Sequence, residues 1–185
     1  MNDGKRFEEN FKKSIPDHVW WNRYKDGTAS WDGSQTRFQA FNICDFELND
    51  GKLHYLFELK SHAGASVPFS AIRDTQIKEL KRACDYDFIY PAFLFNMRKY
   101  EKTYCIHAKY VIDYIEQSER KSIPHDWMIE NGIEVQAEKK KTNWRYDVVG
   151  LLNMIYYKHF KLRLDAIKKA VNAYVDNIKK AKGDL

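Results

Sequence analysis

The sequence predicts an α/β (α+β) domain, a sheet with helices packed on it, followed by a helical C-terminal extension. Two observations carry this reading. Segments of strand and helix character alternate through the first part of the chain, in the core order strand, strand, helix, strand, strand. Beyond Trp144 the character is helical throughout, with Phe160, Leu164, Ile167, Val171, Tyr174 and Ile178 forming an i, i+4, i+7 stripe. A chain of 185 residues is long enough to bury a core without disulfides or structural metal. The division expected is a sheet domain at residues 1–137 and a basic helical extension at 138–185.

Taken in order, Asp3 to Lys13 carries Phe7 and Phe11 four apart among charged residues, an amphipathic helix stopped near Pro16. His18 to Tyr24 reads as extended, and the Lys25-Asp-Gly27 and Asp32-Gly33 steps as turns. Phe38–Leu48 and Lys52–Lys60 are two strands around Asn49-Asp50-Gly51, a strong hairpin signal. In the second strand Leu53, Tyr55, Phe57 and Leu59 face the core, and His54, Leu56, Glu58 and Lys60 form the charged face. Ser61 to Ser70 is a loop, and a helix capped by Ser70 or Asp74 runs to Cys84. Strands follow at Phe88–Asn96 and Thr103–His107, then a short helix at Ala108–Glu116. Lys121–Pro124 is a loop, and Asp126–Asn131 a helix closed by a left-handed Gly132.

Charge and composition narrow the function. From Glu138 to Leu185 there are 12 Lys/Arg against 5 Asp/Glu, so the net charge of +5 leaves residues 1–137 at −2. A basic tail suits a phosphate backbone, with Lys139, Lys140, Lys141, Lys168 and Lys169 as the candidate DNA contacts; a solvated helix face is the plainer alternative. Residues 1–10 have no apolar stretch behind them and no run approaches the ~20 apolar residues of a membrane span, so a cytoplasmic protein with no membrane partner is expected. Cys44, Cys84 and Cys105 lack any C-x-x-C spacing and read as free, mostly buried thiols. No H-x-x-x-H pair and no G-x-x-x-x-G-K-(S/T) loop occur, which argues against a zinc hydrolase and against a nucleotide cofactor.

One constellation carries chemistry. With Asp50-Gly51 as a two-residue turn, Asn49 pairs with Lys52 and Asp45 lies opposite Leu56, so Asp45, Glu58 and Lys60 share the face away from the core. The backbone separation is then diagonal, about 7–8 Å, within reach of two carboxylates around one ion. A three-residue loop without a bulge would reverse that parity. Phosphodiester hydrolysis needs such a pair to hold a divalent cation, Mg2+ with Mn2+ as the alternative, and a cation to steady the attacking water and developing charge.

An aspartate in one strand followed by Glu58-Leu59-Lys60 at the end of the next resembles the PD-(D/E)XK nuclease superfamily. Further matches narrow the likeness to the RecU type of Holliday junction resolvase. Gly4-Lys-Arg-Phe-Glu8 resembles that family's first-helix motif, whose glutamate lies near the metal. Phe57-Glu-Leu-Lys60, the Ser66-Val-Pro-Phe-Ser70 loop and Gln76-Ile77 follow its order, and Arg120-Lys-Ser-Ile-Pro124 matches its R-K-S-I-P. The resemblance covers residues 4–135. It departs at Ile43, where a small hydroxyl residue is usual, at Thr75, where histidine is common, and in a shorter stretch before Asp45, which in that family includes a stalk.

What the resemblance implies is a restriction-endonuclease-like mixed sheet flanked by helices. Asp45 and Glu58 would bind the metal, Lys60 and Gln76 would support the water, and Glu8 would lie beside them, with Glu9 as the alternative in a shifted register. His54 shares the face of Glu58. The expected activity is symmetric, Mg2+-dependent cleavage of four-way DNA junctions by a homodimer. A restriction- or repair-type nuclease on duplex DNA, a non-catalytic DNA-binding protein and an assembly protein unrelated to nucleic acid are the other readings.

Overall fold

The computed structural model describes residues 2–24 and 42–183, and in the last helix the side chains at 148–158, 166, 168–175 and 178. The turns expected at Lys25–Gly27 and Asp32-Gly33, and the first residues of the Phe38–Leu48 strand, lie outside them. The chain divides into two units, Met1–Leu151 and Leu152–Leu185.

Within the first unit, helix α1 (Asp3–Lys12) begins on Asn2, whose Oδ1 accepts from Lys5 N at 2.8 Å. Strands β1 (Trp20–Arg23), β2 (Phe46–Asn49) and β3 (His54–His62) follow. The β2–β3 connection differs from the expected two-residue turn. Asn49 pairs with His54 and Phe46 with Phe57, so Asp50–Leu53 form the loop. Its side chains build it: Asn49 Oδ1 accepts from Gly51 N at 2.8 Å, and Asp50 Oδ1 accepts from Lys52 N at 2.9 Å and Leu53 N at 3.0 Å. Gly51 holds the left-handed conformation, φ 82°, that the turn requires. The register has slipped by two residues, which preserves the face of every side chain.

After β4 (Ser66–Pro68), helix α2 (Asp74–Ala83) crosses to β5 (Ile89–Met97), which lies parallel to β3. Strand β6 (Lys102–His107) returns antiparallel, helix α3 (Ala108–Gln117) follows, and β7 (Ser122–Pro124) pairs with β4. Segments expected as loops at Ser61–Ser70 and Lys121–Pro124 thus contain a two-stranded ribbon. Helix α4 (His125–Asn131) leads to β8 (Ile133–Glu134), and the main sheet has the order β1-β2-β3-β5-β6-β8. The α/β (α+β) expectation holds: a mixed sheet with helices on both faces. Gly132 is extended (φ −105°, ψ 172°) and not left-handed. Its lack of a side chain serves packing, because a Cβ there would lie 2.6 Å from Met128 O.

Burial on both faces corrects the sequence reading of β3. On one face Phe11 of α1 meets Phe46 and Phe57 edge-on, with ring centroids 5.5 and 6.0 Å apart. On the other, Leu56 joins Phe93, Phe95 and Ile106 under Leu80 of α2 and Val111 and Ile112 of α3. A central strand covered by helices on both sides has no solvated face, so Glu58, at 2% exposure, is buried.

Residues 137–146 also depart from expectation. They form a hairpin, β9 (Ala137–Lys140) with β10 (Asn143–Tyr146), and helix begins only at α5 (Val148–Gly183). The alternation of Trp144 and Tyr146 has strand period, and the hairpin is tied to the end of α1. Ser14 Oγ accepts from Tyr146 N at 2.9 Å, and Tyr146 packs edge-on against Phe7. Along α5 the described members of the apolar stripe, Val171, Tyr174 and Ile178, are exposed. No helix among the described residues is long and apolar enough to cross a membrane. Cys44 and Cys105 are buried free thiols and Cys84 is half-buried.

Phe11, fully buried and in contact with three aromatic rings, should be the costliest core truncation. Phe11→Ala is expected to lower stability by about 3–5 kcal/mol, read as a lower urea midpoint at unchanged m value. Exposed Trp20→Ala should stay within about 0.5 kcal/mol of wild type.

Candidate active site

Asp45 stands at the entrance to β2, where its backbone N donates to Phe57 O at 3.1 Å. Its carboxylate reaches across and accepts from Leu59 N through Oδ2 at 2.7 Å. These two bonds straddle Glu58 and bring the Asp45 carboxylate beside it, just past the last β2–β3 ladder pair, Phe46 with Phe57. The expected pairing of Asp45 with Leu56 is therefore not found: the ladder places Glu47 opposite Leu56, and Asp45 reaches Leu59 N from outside the strand.

Glu58 is organised by two neighbours on one of its oxygens. Oε1 accepts from Gln76 Nε2 at 2.5 Å and from Lys60 Nζ at 2.9 Å. Gln76 comes from the first turn of α2, where its Oε1 accepts from Arg73 N, the residue before the helix, at 3.1 Å and from Lys60 Nζ at 3.1 Å. Arg73, and neither Ser70 nor Asp74, thus occupies the capping position. Gln76 is 5% exposed, against the ordinary expectation for a helical glutamine, because the crossover from β3 to β5 lays α2 over the end of β3. Among the described residues Glu58 Oε2 is buried without a hydrogen-bond partner, which is costly unless something else satisfies it.

Electrostatics follow from this burial. Removal from water, and then the neighbouring Glu58 charge, push the Asp45 carboxyl up to about 8, against the pull of the Leu59 N–H and Lys60. Burial likewise raises Glu58, opposed by Lys60, Gln76 and Arg73. Two carboxylates forced together in a dry site call for positive charge, and their oxygen chemistry fits a hard divalent cation. Among the described residues no group of three His, Cys, Asp or Glu gathers to hold a metal.

Glu8 adds its charge to the field on Asp45, but its carboxylate is engaged by Arg23 of β1, whose Nε donates to Oε2 at 3.0 Å. Glu9 pairs with Lys13 at 3.3 Å on the exposed side of α1, so Glu8 is the one turned toward the centre. His54 lies further along β3, 3.7 Å from Glu47. The basic candidates are elsewhere. Lys139 and Lys140 are in β9, where Lys139 pairs with Glu101 and Lys140 with Glu138, and Lys141 is in the hairpin turn. Lys168 and Lys169 are exposed on α5.

Sequence reasoning missed Arg23 as the partner of Glu8 and Arg73 as the residue that orients Gln76. Arg23 is the lone cation in an aromatic strand, a signal that was legible. Arg73 precedes an unremarkable helix start and offered none.

The Recombination protein U (RecU) family profile matches residues 12–148. The SPbeta prophage-derived uncharacterized protein YotM of Bacillus subtilis (strain 168) is 34% identical over 161 residues, spanning 78% of this chain and 82% of that protein. Among solved structures, Hjc of Archaeoglobus fulgidus, a Holliday junction resolvase, is similar with a TM-score of 0.48 and 12% identity over 71% of this chain and 95% of that one.

A carboxyl raised in the folded state contributes stability that is fully present below its unfolded value near 4 and is lost as the pH rises towards about 8. Metal-free wild type should therefore melt several degrees lower at pH 8.5 than at pH 5. Asp45→Asn, which can still accept from Leu59 N, should flatten that slope in a melting series without divalent ions. Equal slopes would show that Asp45 ionises freely in the fold.

Proposed function

The chain belongs to the Recombination protein U (RecU) family, and from that premise we propose that it is a Mg2+-dependent endonuclease that resolves four-way DNA junctions. One observation supports this most: a half-buried Asp45 clasped to Leu59 N beside a buried Glu58 that presents an unsatisfied oxygen. Asp45 and Glu58 would hold the ion, with Mn2+ as an alternative to Mg2+. When bound, the ion supplies polarisation of a phosphate oxygen and positive charge against the charge that develops on it.

The chain's own residues account for the rest. Lys60 has three N–H donors, and two of them are directed at Glu58 and Gln76. The third is left to orient an attacking water or a phosphate oxygen. Gln76 sets the position of both Lys60 and Glu58, so it acts by positioning. Glu8, held by Arg23, adds negative charge beside Asp45 and favours cation binding there. The covering helix α2 excludes bulk water, which strengthens each of these interactions.

Symmetric nicking of a four-way junction needs two centres related by a two-fold axis, so the active form is a homodimer. Helix α5 carries both exposed apolar residues and Lys168 and Lys169, and β9 carries Lys139 and Lys140 with Lys141 beside it. These lysines are the proposed phosphate contacts. Such a protein works on DNA in the cytoplasm.

Asp45→Asn and Lys60→Ala should each slow cleavage of a synthetic four-way junction by at least about 100-fold, while junction binding in the absence of metal persists. A panel of linear duplex, flap and junction substrates reads the specificity. Faster cutting of linear duplex than of the junction would favour a restriction- or repair-type enzyme, and binding without products in any metal would indicate a DNA-binding protein.

A further inference from the structure

The face of the sheet that carries Asp45 and Glu58 continues into a cleft. Two residues back along β3 from Glu58 is Leu56, paired with Glu47, itself two residues on from Asp45. At about 3.3 Å per residue the cleft floor is roughly 7 Å from the carboxylate pair. Ile43, Leu56, Ala83 and Ile89 supply apolar walls, the cleft volume is about 280 Å3, and Tyr86 lies at its border with 56% exposure. Glu47 and His54, 3.7 Å apart, give it a polar edge. That size is near the lower end of small-molecule sites, roughly 300–1,000 Å3, and suits one planar ring system.

Two features resist explanation as packing alone. Phe88, which joins α2 to β5 just before Ile89, is 58% exposed and is held at φ 66°, a conformation rare for a bulky side chain. Its carbonyl accepts from His54 N at 2.8 Å, fixing the same residue that supplies the polar edge. Strained backbone persists where surrounding structure enforces it, commonly beside functional sites. Ile43 is the second. It stands where the family usually has a small hydroxyl residue, and here it lines the cleft.

We propose that this cleft receives one unstacked nucleobase from the strand whose phosphate sits at Asp45 and Glu58. This rests on the nuclease reading above. Bases of one strand in a duplex are spaced 3.4 Å apart and turned inward, so a base reaching an apolar cleft beside the cut phosphate has left its stack. Tyr86 provides a face for it and Ile43 and Leu56 a dry floor, while Glu47 and His54 meet its hydrogen-bonding edge. A branched junction offers weakly stacked bases at its crossover, which lowers the cost of extrusion. The cleft would thereby favour branch points over intact duplex.

The test uses full-length Asp45→Asn protein, which retains the cleft, and four-way junctions carrying 2-aminopurine at each position within three nucleotides of the cut site. Binding should raise fluorescence several-fold at one position. Adding Tyr86→Ala, a surface change, should remove most of that rise with less than a 10-fold loss of affinity, and Ala83→Leu, which narrows the cleft, should do the same. An abasic site at that position should make Asp45→Asn and Asp45→Asn/Tyr86→Ala bind equally. Tight junction binding with no rise at any position, or a rise unchanged in both cleft variants, overturns the cleft and leaves the nuclease reading standing. Absence of binding to any DNA overturns both.

Discussion

Asp45 holds β2 to β3 twice, through its backbone N to Phe57 O and through its carboxylate to Leu59 N. The rest of the centre depends on this clasp. It closes the end of the β2–β3 ladder at the point where Glu58 would otherwise be one more buried side chain, and it brings a second carboxylate beside it. A slip of one residue would send Asp45 to the α1 face, among Phe11, Phe46 and Phe57. The four-residue loop at Asp50–Leu53 defends that register from the other end through Asn49 and Asp50 side chains.

Burial then converts geometry into reactivity. A parallel β3–β5 pair requires a crossover, and the crossover lays α2 over the end of β3, taking Glu58, Lys60 and Gln76 out of bulk water. In that setting the carboxylates repel strongly and the Asp45 carboxyl is pushed up to about 8. The unfavourable pairing is relieved on one side by Lys60 and Gln76, both directed at Glu58 Oε1. The other oxygen is buried without a hydrogen-bond partner among the described residues, the position at which a cation is proposed. Structural and chemical demands are opposed here: stability would be better served by an apolar pair.

Much of this was legible in the residues. The order of the main-sheet strands through β6 and of helices α1, α2 and α3 follows from periodicity and from turn residues, while β4 lay in a segment expected as a loop. Asp45, Glu58 and Lys60 do lie close together, although the loop is four residues and not two. What single-strand alternation does not reveal is which faces a sheet will have covered. His54, Leu56, Glu58 and Lys60 read as a charged face, and the helices packed there bury Leu56 and Glu58 while leaving His54 and Lys60 half-buried. The 137–146 hairpin was hidden inside a run of lysines, whose charge suggested a helical tail more strongly than Trp144 and Tyr146 suggested strands. Arg23 stands out as a lone cation among aromatics, but its partner Glu8 lies 15 residues away, and Arg73 meets Gln76 through its backbone N, which its side-chain type does not announce.

The central proposal is that Asp45 and Glu58 bind one divalent ion together. Manganese binding, followed by electron paramagnetic resonance at neutral pH in full-length protein, tests that claim directly. Glu58→Gln preserves shape and the Lys60 and Gln76 contacts through its amide oxygen while removing the charge. The prediction is Mn2+ bound by wild type and weakened well over 10-fold in both Glu58→Gln and Asp45→Asn, on the scale of about 10–100-fold that even indirect support of a metal ligand is worth. Unchanged Mn2+ affinity in both variants would show that the two carboxylates do not hold the ion.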